Sequence, residues 1–199
     1  MKSENQYIGD DKFKKFLNHY NCPTPLEVVK MRFAGAICSP NKDLRPTDVI
    51  ISFWPEGRTP RLETKNEAEL FFKFFMGLWD EMFITVTENK LALPRISPQE
   101  DLIKVCENRY NMVEQGFVEG FWGGEENIKI PAYIAQIVDS LSQVALHYKT
   151  LIAKINPAQE NKNIFDAVLE CDKMAVKSMA FIVEHYVLPH IEELKRTVN

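Results

Sequence analysis

The chain has 199 residues, 45% of them apolar, with a formal net charge of -4 and a pI near 5.7. A chain of this length buries roughly 70% of its unfolded surface, enough for a core without metals or disulfides, and the acidic balance speaks against a nucleic-acid surface, which carries a basic stripe. Cys22, Cys38, Cys106 and Cys171 share no short spacing and read as reduced, buried thiols; no apolar run approaches the ~20 residues of a membrane span and the N-terminus carries no export signal, so a cytoplasmic protein is expected.

Residues 1–9 read as frayed. A short helix is predicted over about 10–20, with Phe13, Phe16 and Leu17 on one side, and Cys22-Pro23 breaks it. Thr24-Pro25-Leu26-Glu27 is a capping box with proline at the first helical position, where its missing N–H costs nothing. The helix it opens carries Val28, Val29, Phe33 and Ala36 to about Cys38, before Pro40. Pro46 starts a short helix over 47–53, which ends at Trp54-Pro55-Glu56-Gly57. Residues 57–65 are irregular.

Thr64-Lys65-Asn66-Glu67 is a second capping box. Behind it Phe71, Phe75, Leu78, Met82 and Val86 recur at helical spacing, and Phe72, Phe74, Met76, Trp79 and Phe83 widen the stripe. Only Glu69, Lys73, Gly77 and Asp80 form a polar strip, with Glu69 and Lys73 in the favourable order for an ion pair. A helix apolar over most of its circumference has to be surrounded, so the 66–89 helix is expected at the centre of a bundle.

Ser97-Pro98-Gln99-Glu100 is a third capping box after a connector over 91–96. The helical pattern behind it runs through Leu102, Val105, Cys106, Tyr110, Val113, Phe117 and Phe121, and stops at Gly123-Gly124. Pro131 opens the next helix (Ile134, Val138, Leu141, Ala145, Tyr148, Ile152), which ends at Asn156-Pro157. The last runs from about 162 with Phe165, Val168, Leu169, Ala175, Met179, Ile182 and Tyr186, and Pro189 predicts a kink or break at 187–188. The only β-branched cluster, 84–87, continues a helical stripe. The prediction is one all-α domain over 1–199, a bundle of about seven helices.

Gly35, Gly116 and Gly120 stand inside apolar helices, where a glycine costs ~1 kcal/mol relative to alanine. Close helix–helix approach is the expected reason, with a kink or ligand contact as the alternative. His19-x-x-Cys22 and the His185, His190 pair are the only close soft ligands, and the Glu-x-x-His of di-iron bundles does not occur. No metal-binding or cofactor-binding residue is therefore expected. No Gly-x-Ser-x-Gly is present. Trp122-Gly123-Gly124-Glu125-Glu126 follows a helix, so carbonyls rather than phosphate-binding N–H groups face it. No catalytic residue is named.

Residues 31–40 followed by 46–54 and the apolar helix 67–81 have a layout that resembles the YecA/YgfB family of small bacterial proteins. Gly116-Phe117-Val118-Glu119-Gly120 matches that family's Gly-Phe-x-x-Gly motif. Val113 stands where the family has tryptophan, and Trp122 follows the motif instead. The resemblance covers about 24–155. It implies an all-helical fold and little about activity, since the family has no agreed catalytic site. Longer relatives carry a cysteine-rich, SEC-C-type metal-binding tail; here the end, EHYVLPHIEELKRTVN, has no cysteine.

Seven acidic residues and two basic ones (Lys104, Arg109) lie between Glu100 and Glu126. They read either as a solvated face or as an acidic patch that steers a basic partner. Arg45, Arg58 and Arg61 could pair with that helix inside the molecule. The leading functional expectation is a non-catalytic protein-interaction or regulatory module. Its partner is a protein, with no direct nucleic-acid or membrane contact, and a homo-oligomer is left open. Its candidate partner-binding residues are Trp54, Glu119, Trp122 and Glu125, because exposed tryptophans dominate interface energies; the alternative is that Trp54 and Trp122 are core. The competing class is a small-molecule-binding or enzymatic helical protein with a pocket lined by Trp54, Trp79 or Trp122.

Overall fold

The computed structural model describes residues 6–56, 58–125, 128–156 and 161–197, the side chains of 194–197 excepted. The first five residues, Gly57, Glu126 and Pro157, on which parts of the sequence reading fall, lie outside the described residues. Among those described the chain is all-helical: seven continuous rods and no strand. The first four are α1 (Asp10–His19), α2 (Leu26–Ile37), α3 (Pro46–Ile51) and α4 (Lys65–Thr87). α5 (Leu102–Tyr110) runs unbroken through a π-helical segment (Asn111–Val118) into α6 (Glu119–Trp122). α7 (Ala132–Ile152) follows, and α8 (Lys162–Ile182) continues through a second π segment (Val183–Val187) into α9 (Leu188–Thr197). No helix among the described residues is long and apolar enough to cross a membrane.

The three capping stretches behave differently. At α4, Thr64 Oγ1 accepts from Glu67 N at 3.1 Å, while the Glu67 carboxylate takes Glu63 N at 2.7 Å, one residue before the cap. At α2 the Thr24 box does not form. Pro25 is the N-cap, and Thr24 Oγ1 donates to Phe53 O at 2.8 Å. That carbonyl lies just past the end of α3, where carbonyls lack helical donors, so a tertiary bond replaces the local cap. At the third stretch Ser97 N donates to Glu100 Oε1 at 2.6 Å and closes a turn. The helix starts later, behind Asp101, whose carboxylate accepts from Ile103 N and Lys104 N. α1 and α4 end on asparagines in the left-handed region, Asn21 at φ 50 and Asn89 at φ 51.

α4 is not surrounded. Phe71, Phe75, Leu78, Met82 and Val86 are buried, but Leu70, Phe83 and Ile84 are exposed. Glu69 pairs back to Lys65 at 3.5 Å instead of forward to Lys73. The hub is α2, which buries Val28, Val29, Met31, Phe33, Ala34, Gly35 and Ala36 and packs on the first π segment, α6, α4, α3 and α1. Gly35 on α2 lets the backbone at Phe117 and Phe121 come in close. The large aromatics of α4 instead form one thick face. Phe75 sits in it against Phe71, Phe13, Phe16 and Phe53, with ring centroids 5.0, 5.3, 5.3 and 5.8 Å away. Residues 6–9 are packed rather than frayed: Tyr7 lies 5.9 Å from Phe13, and the backbone of Gln6 occupies the notch at Gly77.

The rod 102–122 joins the two halves. Its α5 end packs on α7 and α8, and its π segment packs on both α2 and α7. Pro189 does not break the last rod. The second π segment takes up the mismatch just before it. His185 O, four residues before this proline, accepts from Tyr133 Oη at 3.4 Å.

Candidate functional site

The site is built where α2 crosses the first π segment. A Cβ on Gly35 would overlap Phe117 O, one on Gly120 would overlap Arg32 O, and one on Gly116 would stand 2.7 Å from Met31 Cβ. The two backbones are therefore in contact. That contact brings Arg32 of α2 to Gln115, whose carbonyl accepts from Nε at 2.8 Å and Nη2 at 2.6 Å. The carbonyl is available because the N–H of Glu119 donates to Glu114 O, five residues back, and passes over it. Nη2 also donates to Glu119 Oε2 at 2.7 Å, and Nη1 to Ser52 O at 3.0 Å and Ser52 Oγ at 3.3 Å. Arg32 lies over the Phe53 ring at 5.8 Å. Its donors are committed to the protein.

The five-residue bonding register has a second effect. In an α-helix, residues five apart point about 140° away from each other. In the π segment they come close to stacking, so Glu114 and Glu119 turn to the same side. They border an open-sided cleft of about 780 Å³. Leu44, Asp48, Val49 and Ser52 form one wall, and Glu114, Val118, Glu119 and Trp122 the other. Gly123, Gly124 and Glu125 make the rim, and Ser142 reaches in from α7. Gly123 is left-handed at φ 56 and ends the rod there, with its backbone against the Leu44 side chain.

Four carboxylates thus face one guanidinium that is already paired. Burial pushes the Glu119 carboxyl above its ordinary value; Arg32 opposes that push and Glu114 adds to it. The Glu119 side chain is 53% exposed, so solvent screens these effects. Burial pulls the Arg32 guanidinium down, against the Glu119 carboxylate; it stays charged at any ordinary pH. Glu114 Oε2 is closed off from solvent and has no hydrogen-bond partner among the described residues.

Of the residues singled out from sequence, Glu119, Trp122 and Glu125 come together here, with Gly120 beside them; Gly116 packs against Met31 of α2 instead. Trp122 is half-buried. Trp54 is elsewhere, and its expected place on a partner surface is overturned. It is 5% exposed, with its ring 5.9 Å from Phe71 and its indole N–H donating to Tyr20 O at 3.1 Å. Tyr20 ends α1, so a helix-end carbonyl without a helical donor satisfies the indole inside the core. Trp79 is half-buried, its ring 5.1 Å from Phe33. Arg32, Asp48 and Glu114 were missed. Arg32 lies inside the 31–40 segment of the family resemblance, but only the π register brings Glu114 to Glu119.

Arg109, read as part of an exposed acidic face, is 1% exposed. Its Nε donates to Asp172 Oδ1 and Oδ2 at 2.9 and 3.1 Å, and Nη2 donates to Pro94 O. Tyr148 Oη donates to Asp172 Oδ1 at 2.8 Å. Burial, with Asp172 adding, pushes the Tyr148 phenol well above its ordinary value. This network ties α5, α7 and α8 together. Burial also raises the neighbouring thiols, Cys106 to about 11, and holds the Cys38 thiol protonated. The His19 ring meets Tyr20 edge-to-face at 4.8 Å, and the His185 ring lies tilted against Phe181 at 4.2 Å. Among the described residues no group of three or more His, Cys, Asp and Glu could hold a metal ion.

No family model matches the chain, and no curated protein and no solved structure matches it.

Proposed function

We propose that this chain is a protein-interaction module that performs no chemistry and docks a basic segment of a partner protein in the cleft at Trp122. One observation carries the reading: a half-buried indole stands in an open-sided cleft beside carboxylates that outnumber the single, already paired guanidinium. An aromatic anchor with an acidic rim suits a cationic partner, since opposite charge speeds encounter and aligns the docking. Val118, Glu119 and Gly120 of the Gly116–Gly120 motif behind the YecA/YgfB resemblance line the cleft, and membership of that family belongs to the same proposal.

A second reading, a small cationic ligand, is favoured by the cleft volume, which falls in the ~300–1,000 Å³ range of ligand pockets. The open side and the exposed Glu119 and Glu125 suit a side chain presented by a macromolecule better. The test is affinity capture with wild type, Trp122→Ala and Glu125→Arg, after their thermal midpoints are measured. The expected result is one partner, rich in basic residues, that wild type retains and both variants lose at unchanged stability. A partner retained equally by all three removes the cleft from the interface.

A further inference from the structure

Resting on that docking reading, we infer that the cleft holds an arginine subsite: it takes one arginine side chain of the partner segment, its guanidinium lying against the Trp122 indole and donating to Glu114 and Glu125. Three observations converge on this chemistry.

The first is the unpaired acceptor. Glu114 borders the cleft, and its Oε2 has neither water access nor a protein donor among the described residues. A buried carboxylate oxygen left without a donor is unfavourable. The terminal torsion of glutamate is soft, so a small rotation turns that oxygen into the cleft, where a cationic donor relieves it.

The second is charge. Arg32 spends its hydrogen bonds on Gln115 O, Ser52 and Glu119. Glu119 is thereby compensated. Among the described residues neither Glu114 nor Glu125, which line the cleft, is in an ion pair, and the local field favours a second cation.

The third is shape. The molecule already holds one guanidinium at this place, Arg32, with an aromatic ring at 5.8 Å and a carboxylate in reach. Trp122 lines the same cleft and offers a second aromatic surface. A guanidinium is planar, so it can lie on an indole and still donate in its own plane to flanking carboxylates. It is also more weakly hydrated than an ammonium, so lysine loses more on entering a half-buried cleft.

The experiment follows the three indole N–H cross-peaks of the isotope-labelled full chain by NMR. The probe is acetyl-Gly-Ala-Arg-Ala-Gly-amide, with its lysine and citrulline counterparts and with agmatine as the free small guanidine. The arginine peptide is expected to move the Trp122 peak while the Trp54 peak stays in place. The lysine peptide should bind about tenfold more weakly. The citrulline peptide, which keeps the shape and loses the charge, should leave the peak unmoved. Glu114→Gln, close in shape and uncharged, should weaken the arginine peptide about tenfold at an unchanged thermal midpoint. Equal response to arginine and citrulline, or unchanged binding by Glu114→Gln, overturns the subsite. Agmatine binding as tightly as the peptide overturns the peptide segment as occupant.

Failure here is separable from failure of docking. If Trp122→Ala loses a captured partner but the arginine peptide leaves the Trp122 peak unmoved, docking stands and the subsite falls. If the peptide moves that peak but captured proteins survive Trp122→Ala, the subsite stands and docking falls.

Discussion

Asp172→Ala is expected to be the most destabilising single substitution in the helical half built on α5, α7 and α8. It strips the carboxylate from Arg109, which is 1% exposed and, among the described residues, would keep its charge with Pro94 O and the thioether of Met112 as acceptors. It also removes the acceptor of Tyr148. Removing one partner of a buried ion pair costs about 3–5 kcal/mol. For a chain of this size that lowers the thermal midpoint by roughly 6–20 °C. The double variant Arg109→Met with Asp172→Leu removes both charges together and should recover much of the loss, because the penalty comes from the orphaned charge. Urea and thermal melts of the three proteins decide it. A loss under about 1 kcal/mol for Asp172→Ala would mean that water reaches Arg109.

Gly120→Ala is the second. The new Cβ would overlap the carbonyl oxygen of Arg32, and a helix backbone cannot step aside as a side chain can. Overpacking of this kind costs about 1–3 kcal/mol and sometimes more. Gly35→Ala should behave alike, since its Cβ meets Phe117 O. Gly123→Ala is the comparison: its Cβ would meet Leu44 Cδ2 at 2.7 Å, the end of a side chain that can turn, and its left-handed φ adds about 1–2 kcal/mol. Because the new Cβ atoms of Gly120→Ala and Gly35→Ala would both fall on backbone carbonyl oxygens, the clash is expected at or beyond the top of the overpacking range, more than alanine's helix-propensity gain of ~1 kcal/mol can offset. The urea midpoints of these two variants are therefore expected below that of Gly123→Ala, and Gly123→Ala below wild type. Equal midpoints for all three would remove backbone contact as the reason for the glycines.

Helices were legible because stripes such as Phe71, Phe75, Leu78, Met82 and Val86 repeat at the helical period, and Gly123 marked an end. Two kinds of feature were hidden. The first was competition between a local bond and a tertiary one. Thr24 has the spacing of a cap, yet Phe53 O takes its hydroxyl, and no local pattern encodes a carbonyl brought from residue 53. Trp54 is the same case, satisfied by Tyr20 O. The second was the π register. A 3.6-residue template puts Glu114 and Glu119 on different faces, and only the extra residue per turn joins them at the cleft. The width of α4's stripe misled for a related reason: periodicity reports how apolar a face is and not whether a partner covers it, so Leu70, Phe83 and Ile84 look no different from core residues.

The docking reading is tested most directly by zero-length carbodiimide cross-linking of the chain to its captured partner, followed by mass spectrometry of the joined peptides. The reagent couples a carboxylate to an amine in contact with it. The expected result is that Glu119 and Glu125 join to lysines of one basic stretch of the partner, and that the joined peptides vanish with Trp122→Ala. Joined peptides that come instead from carboxylates on the outer face of α4, such as Glu69 or Glu81, and that survive Trp122→Ala, would contradict the cleft as the docking site.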